Sequence, residues 1–144
     1  MNSQNRMALN LATNRTIRGP HVFFSRDELC VEYDHQGDDG AITWASIVFT
    51  DVIAFEFRQE VCCTLESVPD SSSITIEMDS QWLSELRKQW VSLLGGQEWQ
   101  EKQGGFTRFH HFVVFFDDVG CLEVVAARAV STRDLARCDT PVKA

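Results

Sequence analysis

Two histidines and three carboxylates are the side chains of this sequence best suited to proton transfer or metal binding. His110 and His111 precede an apolar run, Asp117 and Asp118 follow it, and Glu123 lies in the next run. An imidazole beside a carboxylate can move protons or help to bind a metal ion. However, successive residues of a strand point to opposite faces, and aspartates in a turn bond to local amides. The spacing therefore favours a hairpin tip.

A metal site would need a further ligand from elsewhere in the chain. The residues that could supply one are His21, His35, Glu32 and Glu123. Nothing in their spacing requires them to converge, and the turn Gln36–Gly40 has neither the ligand spacing nor the closing glutamate of a calcium-binding loop. We therefore predict no metal and no cofactor.

The sequence contains no motif that by itself indicates an enzyme. The nucleophile elbow, the phosphate-binding loop and the dinucleotide-binding glycine pattern are all absent. Cys62 or Cys63 could act as a nucleophile only if the fold brought a histidine and an orienting group beside it. We therefore predict a protein without enzymatic activity.

The cysteines do not form the pattern of a disulfide framework. Their number is odd, since there are five, and no two are spaced as C-x-x-C. Cys30 and Cys121 lie in apolar runs, where cysteine commonly acts as a small buried hydrophobe. This pattern predicts a reducing, cytoplasmic environment.

Alternating apolar and polar residues predict strands along most of the chain. Two of them, Phe112–Phe116 and Cys121–Ala127, flank the acidic turn. The other predicted strands are His21–Ser25, Leu29–Asp34, Ala41–Phe49, Val52–Arg58 and Ile74–Ile76.

One helix is predicted between the strands Ile74–Ile76 and Phe112–Phe116. Asp79 or Ser80 can cap its start, and Gly95-Gly96 can end it. An apolar stripe recurs at three- and four-residue steps, formed by Leu83, Leu86, Trp90, Leu93 and Leu94. Strands and helices do not alternate. The pattern predicts an α+β fold in which an antiparallel β-sheet of about six strands packs against one long helix.

The length suits one domain. We predict a flexible basic arm over residues 1–20, a single α+β domain over 21–130 and a C-terminal tail over 131–144. No apolar run is long enough to span a bilayer.

Charge is distributed unevenly along the chain. The net charge is −8, yet the first 26 residues carry four arginines and no acid, so the acidic charge is concentrated in the rest. Such an acidic body repels nucleic acid and favours a cationic partner. Solubility alone could also account for the excess of acids.

The second half of the chain resembles small bacterial proteins of immunity type or of uncharacterised function. The pattern is a Ser-x-Trp-Leu helix start, a His-aromatic strand, an acidic hairpin and a Glu-Val-x-Ala strand, and it spans residues 74–130. The matching residues are Ser80, Trp82, Leu83, His111, Phe112, Phe116, Asp117, Asp118, Gly120, Glu123, Val124 and Ala126. The resemblance implies a protein-binding function and supplies no catalytic residues.

Together these features predict a module that binds a basic protein partner, such as a toxin that it neutralises. The expected contacts are two acidic turns and one tryptophan in a polar connection: Asp38, Asp39, Asp117, Asp118 and Trp99. The alternative is a small-molecule-binding, metal-binding or catalytic domain with a cleft between sheet and helix, and His111, Asp117 and Glu123 as its first candidates. A homodimer joined through a sheet edge is compatible with either.

Overall fold

The part of the chain that the structure describes forms two antiparallel β-sheets that face each other, with one helix on the outside of the larger sheet. The computed structural model describes residues 6–59, 72–94, 108–117 and 119–133. Its elements in chain order are β1 (Arg6–Ala8), β2 (His21–Ser25), β3 (Glu28–Gln36), β4 (Ile42–Thr50), β5 (Ala54–Gln59), β6 (Ser73–Glu77), α1 (Gln81–Leu94), β7 (His110–Phe116), β8 (Gly120–Ala126) and β9 (Arg128–Arg133).

The predicted fold class is wrong. The described residues form nine strands in two sheets, ordered β1-β6-β7-β8-β5 and β2-β3-β4-β9. The helix of the described residues has 14 residues and lies on the outer face of the larger sheet, whereas the smaller sheet covers the inner face. The error has two causes: β1 and half of β9 lie in the segments predicted as arm and tail, and strand alternation does not reveal which sheet a strand joins.

The main hydrophobic core fills the space between the two sheets. In β3, every second side chain points inward, namely Leu29, Val31 and Tyr33, and all three are fully buried. Rings from the opposing sheet meet them, since Tyr33 packs edge-on against Phe116 with 5.6 Å between centroids. Burial of these alternating faces is the main driving force for the sandwich.

Helix α1 packs on the outer face of the five-stranded sheet. Its stripe residues Leu83, Leu86 and Trp90 pack around the buried Phe109 and Val125, which confirms this part of the predicted stripe. The side chains of the remaining stripe residues, Leu93 and Leu94, and the stop at Gly95-Gly96 lie outside the described residues. No helix in the described part of the chain is long and apolar enough to cross a membrane.

The segment predicted as a flexible arm is hydrogen-bonded to the sandwich from Arg6 onward. β1 pairs with β6, and the buried carboxylate of Asp34 accepts hydrogen bonds from the backbone amides of Ile17 and Arg18. The hydroxyl of Tyr33 donates to the carbonyl of Leu11. Polar groups at the end of β3 therefore hold a segment whose own sequence shows no clear periodicity.

Tyr33 gives an expected pH dependence of folding. Burial raises the pKa of its phenol well above the ordinary value, although the hydrogen bond to Leu11 opposes this rise. Because the folded-state pKa is raised, the stabilising contribution is complete below the unfolded pKa of about 10 and is lost as the pH rises further. We expect alkaline titration to show tyrosinate absorbance only as the protein unfolds.

Tyr33 is the only tyrosine in the chain, so the absorbance reports on it alone. The urea-unfolded chain is the control, and its tyrosine should titrate near about pH 10. Reversible ionisation at that pH in the still-folded protein would contradict the burial of the phenol.

Candidate functional site

A polar cleft lies between the start of α1 and the outer face of the five-stranded sheet. Its volume is about 470 Å³. The charged and titratable side chains in its described lining are Glu56, Arg58, Glu77, Asp79, Glu85, His111 and Glu123, and Ser80 and Trp82 complete the side next to the helix. Five carboxylates therefore face one guanidinium and one imidazole.

Strand alternation and register place the charged groups on one face. Leu122 and Val124 of β8 point into the core, so Glu123 between them points outward toward the cleft. β5 pairs with β8 so that Glu56 lies directly opposite Glu123, and Glu77 of β6 lies opposite His111 of β7. The sheet thus brings together side chains from the β7–β8 hairpin and from two strands, β5 and β6, that lie far from it in sequence.

A chain of hydrogen bonds runs from the helix cap to the sheet. Ser80 Oγ lies 2.7 Å from His111 Nδ1, and His111 Nε2 lies 2.8 Å from Glu123 Oε1. Ser80 Oγ also accepts the backbone N–H of Leu83 at 3.0 Å, as an N-cap does. Since an ionised carboxylate only accepts, His111 Nε2 carries the proton that is donated to Glu123. In the neutral form of this ring Nδ1 is then the acceptor, and the Ser80 hydroxyl donates to it.

This chain of hydrogen bonds is enclosed. His111 and Glu123 are only 6% and 3% exposed. The indole of Trp82 packs edge-on against the imidazole, with 5.2 Å between ring centroids. Packing and two hydrogen bonds therefore hold the His111 ring in place.

Arg58 connects the two facing glutamates unequally. Its Nε and one terminal nitrogen donate to Glu56 Oε1 at 2.8 and 2.6 Å. The same Nε lies 3.2 Å from Glu123 Oε2 as an ion pair, but its single hydrogen is directed at Glu56. Within the described part of the chain, Glu123 Oε2 is a buried oxygen that accepts no hydrogen bond.

The predicted acidic turns lie elsewhere, and the aspartates of the first turn have local partners. The Asp38 carboxylate pairs with Arg15, which holds the pKa of Asp38 below its usual range. Asp39 Oδ1 accepts the amide of Ala41 at 2.9 Å. Asp117 is exposed at the β7–β8 turn and does not contribute to the described cleft lining. Asp118 and Trp99 lie outside the described residues.

Of the residues predicted for a sheet–helix cleft, the structure brings His111 and Glu123 together and leaves Asp117 apart. From the sequence, Ser80 is predicted only as a helix cap, and Arg58 and Glu56 are not predicted as site residues. Alternation in β5 does place Glu56 and Arg58 on the polar face, which was a usable signal. Their proximity to Glu123 depends on the β5–β8 register.

Of the remaining candidates for chemistry, His21 of β2 lies directly opposite Glu32 of β3, and no third ligand is placed beside them among the described residues. His21 stacks on Trp44, and His35 Nδ1 lies 3.1 Å from the carbonyl of Ala12. Among the residues that the structure describes, no group of three or more histidine, cysteine or acidic side chains is placed to hold a metal ion.

Cys30 and Cys121 are buried, and both are disulfide-bonded, so they are not the free thiols expected from the sequence. Each alternates with core residues and therefore lies on the outer face of its own sheet. Neither is available as a nucleophile.

No protein-family model, curated protein or solved structure matches this chain. The functional proposals below therefore depend on the geometry and charge of the cleft.

Proposed function

We propose that this protein is a non-enzymatic binding module that holds a basic protein partner against its acidic cleft. The observation that carries the proposal is the composition of the cleft, in whose described lining five carboxylates face the guanidinium of Arg58. One of these carboxylates, Glu123, is almost fully buried. A concave surface lined by one sign of charge concentrates its field and attracts the opposite charge.

The cleft supports this function better than the acidic turns. Arg15 already offsets the charge of Asp38, and Asp39 accepts a local amide. By contrast, Glu77, Asp79 and Glu85 add charge at the cleft without a matching number of cations in its described lining. The net charge of −8 extends the same preference to long range.

The resemblance to immunity-type proteins fits a role in neutralising a basic toxin. Toxins that act on nucleic acid have basic surfaces, and an acidic inhibitor would meet such a surface quickly through electrostatic steering. Nucleic acid itself is a poor partner for a protein of this charge. A homodimer joined through an edge of the smaller sheet would leave the cleft on the larger sheet free for this contact.

The cysteines give two opposing indications of the cellular compartment in which this protein binds its partner. The spacing of the cysteines predicts the cytoplasm, whereas the disulfide bonds at Cys30 and Cys121 favour an oxidising compartment. Because disulfides persist mainly where thiols are not kept reduced, we propose that the partner is met outside the reducing cytoplasm.

Binding should depend on salt and on the acids of the cleft. We expect the immobilised protein to capture a basic partner from lysate at low salt and to release it at high salt. Glu77→Gln combined with Glu85→Gln should weaken capture by roughly tenfold, because two carboxylates lost near a cationic surface contribute on the order of 1 kcal/mol. Quantified mass spectrometry of the eluates measures the effect.

The matched control removes the same charge away from the cleft. Asp38→Asn combined with Asp117→Asn should change capture of the same protein by less than about twofold. Equal losses in the two variants would mean that only net charge matters, and capture unaffected by salt would contradict the electrostatic basis.

The hydrogen-bond chain favours a second candidate, a hydrolase with Ser80 as nucleophile. A hydroxyl 2.7 Å from an imidazole that is held in turn by a carboxylate at 2.8 Å has the general arrangement of a catalytic triad. Covalent labelling of Ser80 by a fluorophosphonate would favour this candidate over a binding protein. Ser80→Asn, which can still cap the helix, is the unlabelled control.

A further inference from the structure

We propose that the cleft binds one arginine side chain of the partner and that Arg58 competes for the same carboxylates in the free protein. This inference rests on the proposed binding function and names the group that the cleft recognises. Its central observation is the buried Glu123 Oε2, which lines the cleft and accepts no hydrogen bond from the described residues.

The carboxylate of Glu123 is held in a fixed position within the site. His111 Nε2 donates to its Oε1 at 2.8 Å, and Ser80 and Trp82 hold His111 in turn. The other oxygen therefore keeps its position and still lacks a hydrogen-bond donor among the described residues. A buried carboxylate oxygen without a donor is costly, so a ligand that brings an N–H group to this point gains binding free energy.

The facing pair of glutamates suits a guanidinium. Arg58 spans Glu56 and Glu123 with nitrogen–oxygen distances of 2.6 to 3.2 Å, so the gap between the strands accommodates that group. A planar fork of N–H groups can reach two carboxylates together, whereas an ammonium acts as a point charge. The Trp82 indole in the lining offers an aromatic surface that favours a guanidinium further.

Such a ligand can displace the side chain of Arg58 from these carboxylates. Its side chain is 38% exposed, and that of Glu56, its closer partner, is 39% exposed. Ion pairs at this exposure contribute little to stability. The partner's guanidinium would donate to Glu123 Oε2, with Glu56 as its second acceptor, while Arg58 turns toward solvent.

The probe is an end-blocked Gly-Arg-Gly peptide, titrated into the full chain and followed by calorimetry and by NMR signals of the His111 ring. Two control peptides are used. The peptide with citrulline in place of arginine has nearly the same shape but no charge. Gly-Lys-Gly has the charge but lacks the planar set of guanidinium N–H donors. We expect saturable shifts at His111 with the arginine peptide, at least about fivefold weaker binding of the lysine peptide and no binding of the citrulline peptide.

Two variants are expected to change the affinity for the arginine peptide in opposite directions. Arg58→Gln removes the competitor and should tighten binding of the arginine peptide about tenfold, whereas Glu56→Gln removes an acceptor and should weaken it about tenfold. Both positions are partly exposed, so both variants should fold, which circular dichroism checks. Equal binding of the lysine or citrulline peptide, or weaker binding to Arg58→Gln, would overturn the inference.

This test separates the inference from the proposed function. If the basic partner is still captured through Glu77 and Glu85 while no peptide shifts the His111 signals, the arginine site is wrong and the acidic binding face stands. If no basic partner is captured but the arginine peptide binds as expected, the cleft is a guanidinium site and the proposed protein-binding function is wrong.

Discussion

Gly120→Ala is expected to destabilise the protein by about 4 kcal/mol, because two separate costs add. Gly120 has a φ of +152°, which residues with a side chain rarely adopt. A methyl group at this position would also lie 2.0 Å from the carbonyl oxygen of Arg58 and 3.0 Å from Cα of Gln59. These are backbone atoms of the paired strand and cannot move aside without opening the β5–β8 ladder. Urea unfolding measures the loss.

Gly40→Ala is the matched control. Gly40 also has a positive φ, +81°, but no atom lies within 4 Å of the place that an alanine methyl group would occupy. We expect it to lose only about 1 kcal/mol from backbone strain. If the two variants unfold at the same urea concentration, steric contact with β5 is not what makes Gly120 necessary.

Gly120→Ala should also disturb the cleft. β5 carries Glu56 and Arg58, and its register with β8 places them beside Glu123. Opening this ladder should therefore weaken binding of the arginine peptide even in the fraction of molecules that remains folded. Gly40 lies in the β3–β4 turn of the other sheet, so its variant should bind normally.

His111→Ala is expected to cost about 3 kcal/mol of unfolding free energy, the sum of two contributions. The change removes a hydrogen bond to the buried Glu123 carboxylate and leaves a void beside Trp82. A hydrogen bond to a charged group contributes about 2 kcal/mol, and a void left by a buried ring adds roughly 1 kcal/mol. Thermal and urea unfolding of the purified variant measure the change.

The neighbouring histidine is the control for this prediction. His110 is exposed and its side chain points to the other face of β7, so His110→Ala should change stability by less than about 0.5 kcal/mol. Combining His111→Ala with Glu123→Gln should cost less than the sum of the single changes, because the two side chains share one hydrogen bond. Strict additivity would show that this bond contributes nothing to folding.

Local patterns predicted much of the secondary structure correctly. The turn between the last two predicted strands is a hairpin, with Phe116 paired to Gly120. Ser80 caps a helix whose stripe residues Leu83, Leu86 and Trp90 pack on the sheet. These features follow from side-chain periodicity and capping chemistry, which act over a few residues.

The arrangement of the sheets could not be predicted in the same way. β1 is three residues long and pairs with β6, and β9 pairs with β4, so each finds its partner far along the chain. Alternation states which side chains of a strand share a face but not which sheet contains that strand. The two sheets were therefore merged into one, and the helix was expected to cover a face that the second sheet covers.

The candidate site, like the fold, could be predicted only in part from the sequence. The sequence alone shows that the chain is acidic, that His111 and Glu123 are candidates for chemistry and that Glu56 and Arg58 share the polar face of a strand. That these four residues meet beside Ser80, and that Asp38 is paired with Arg15, depends on the three-dimensional packing. Strand register is set by burial of the whole core, and this register places distant charges side by side.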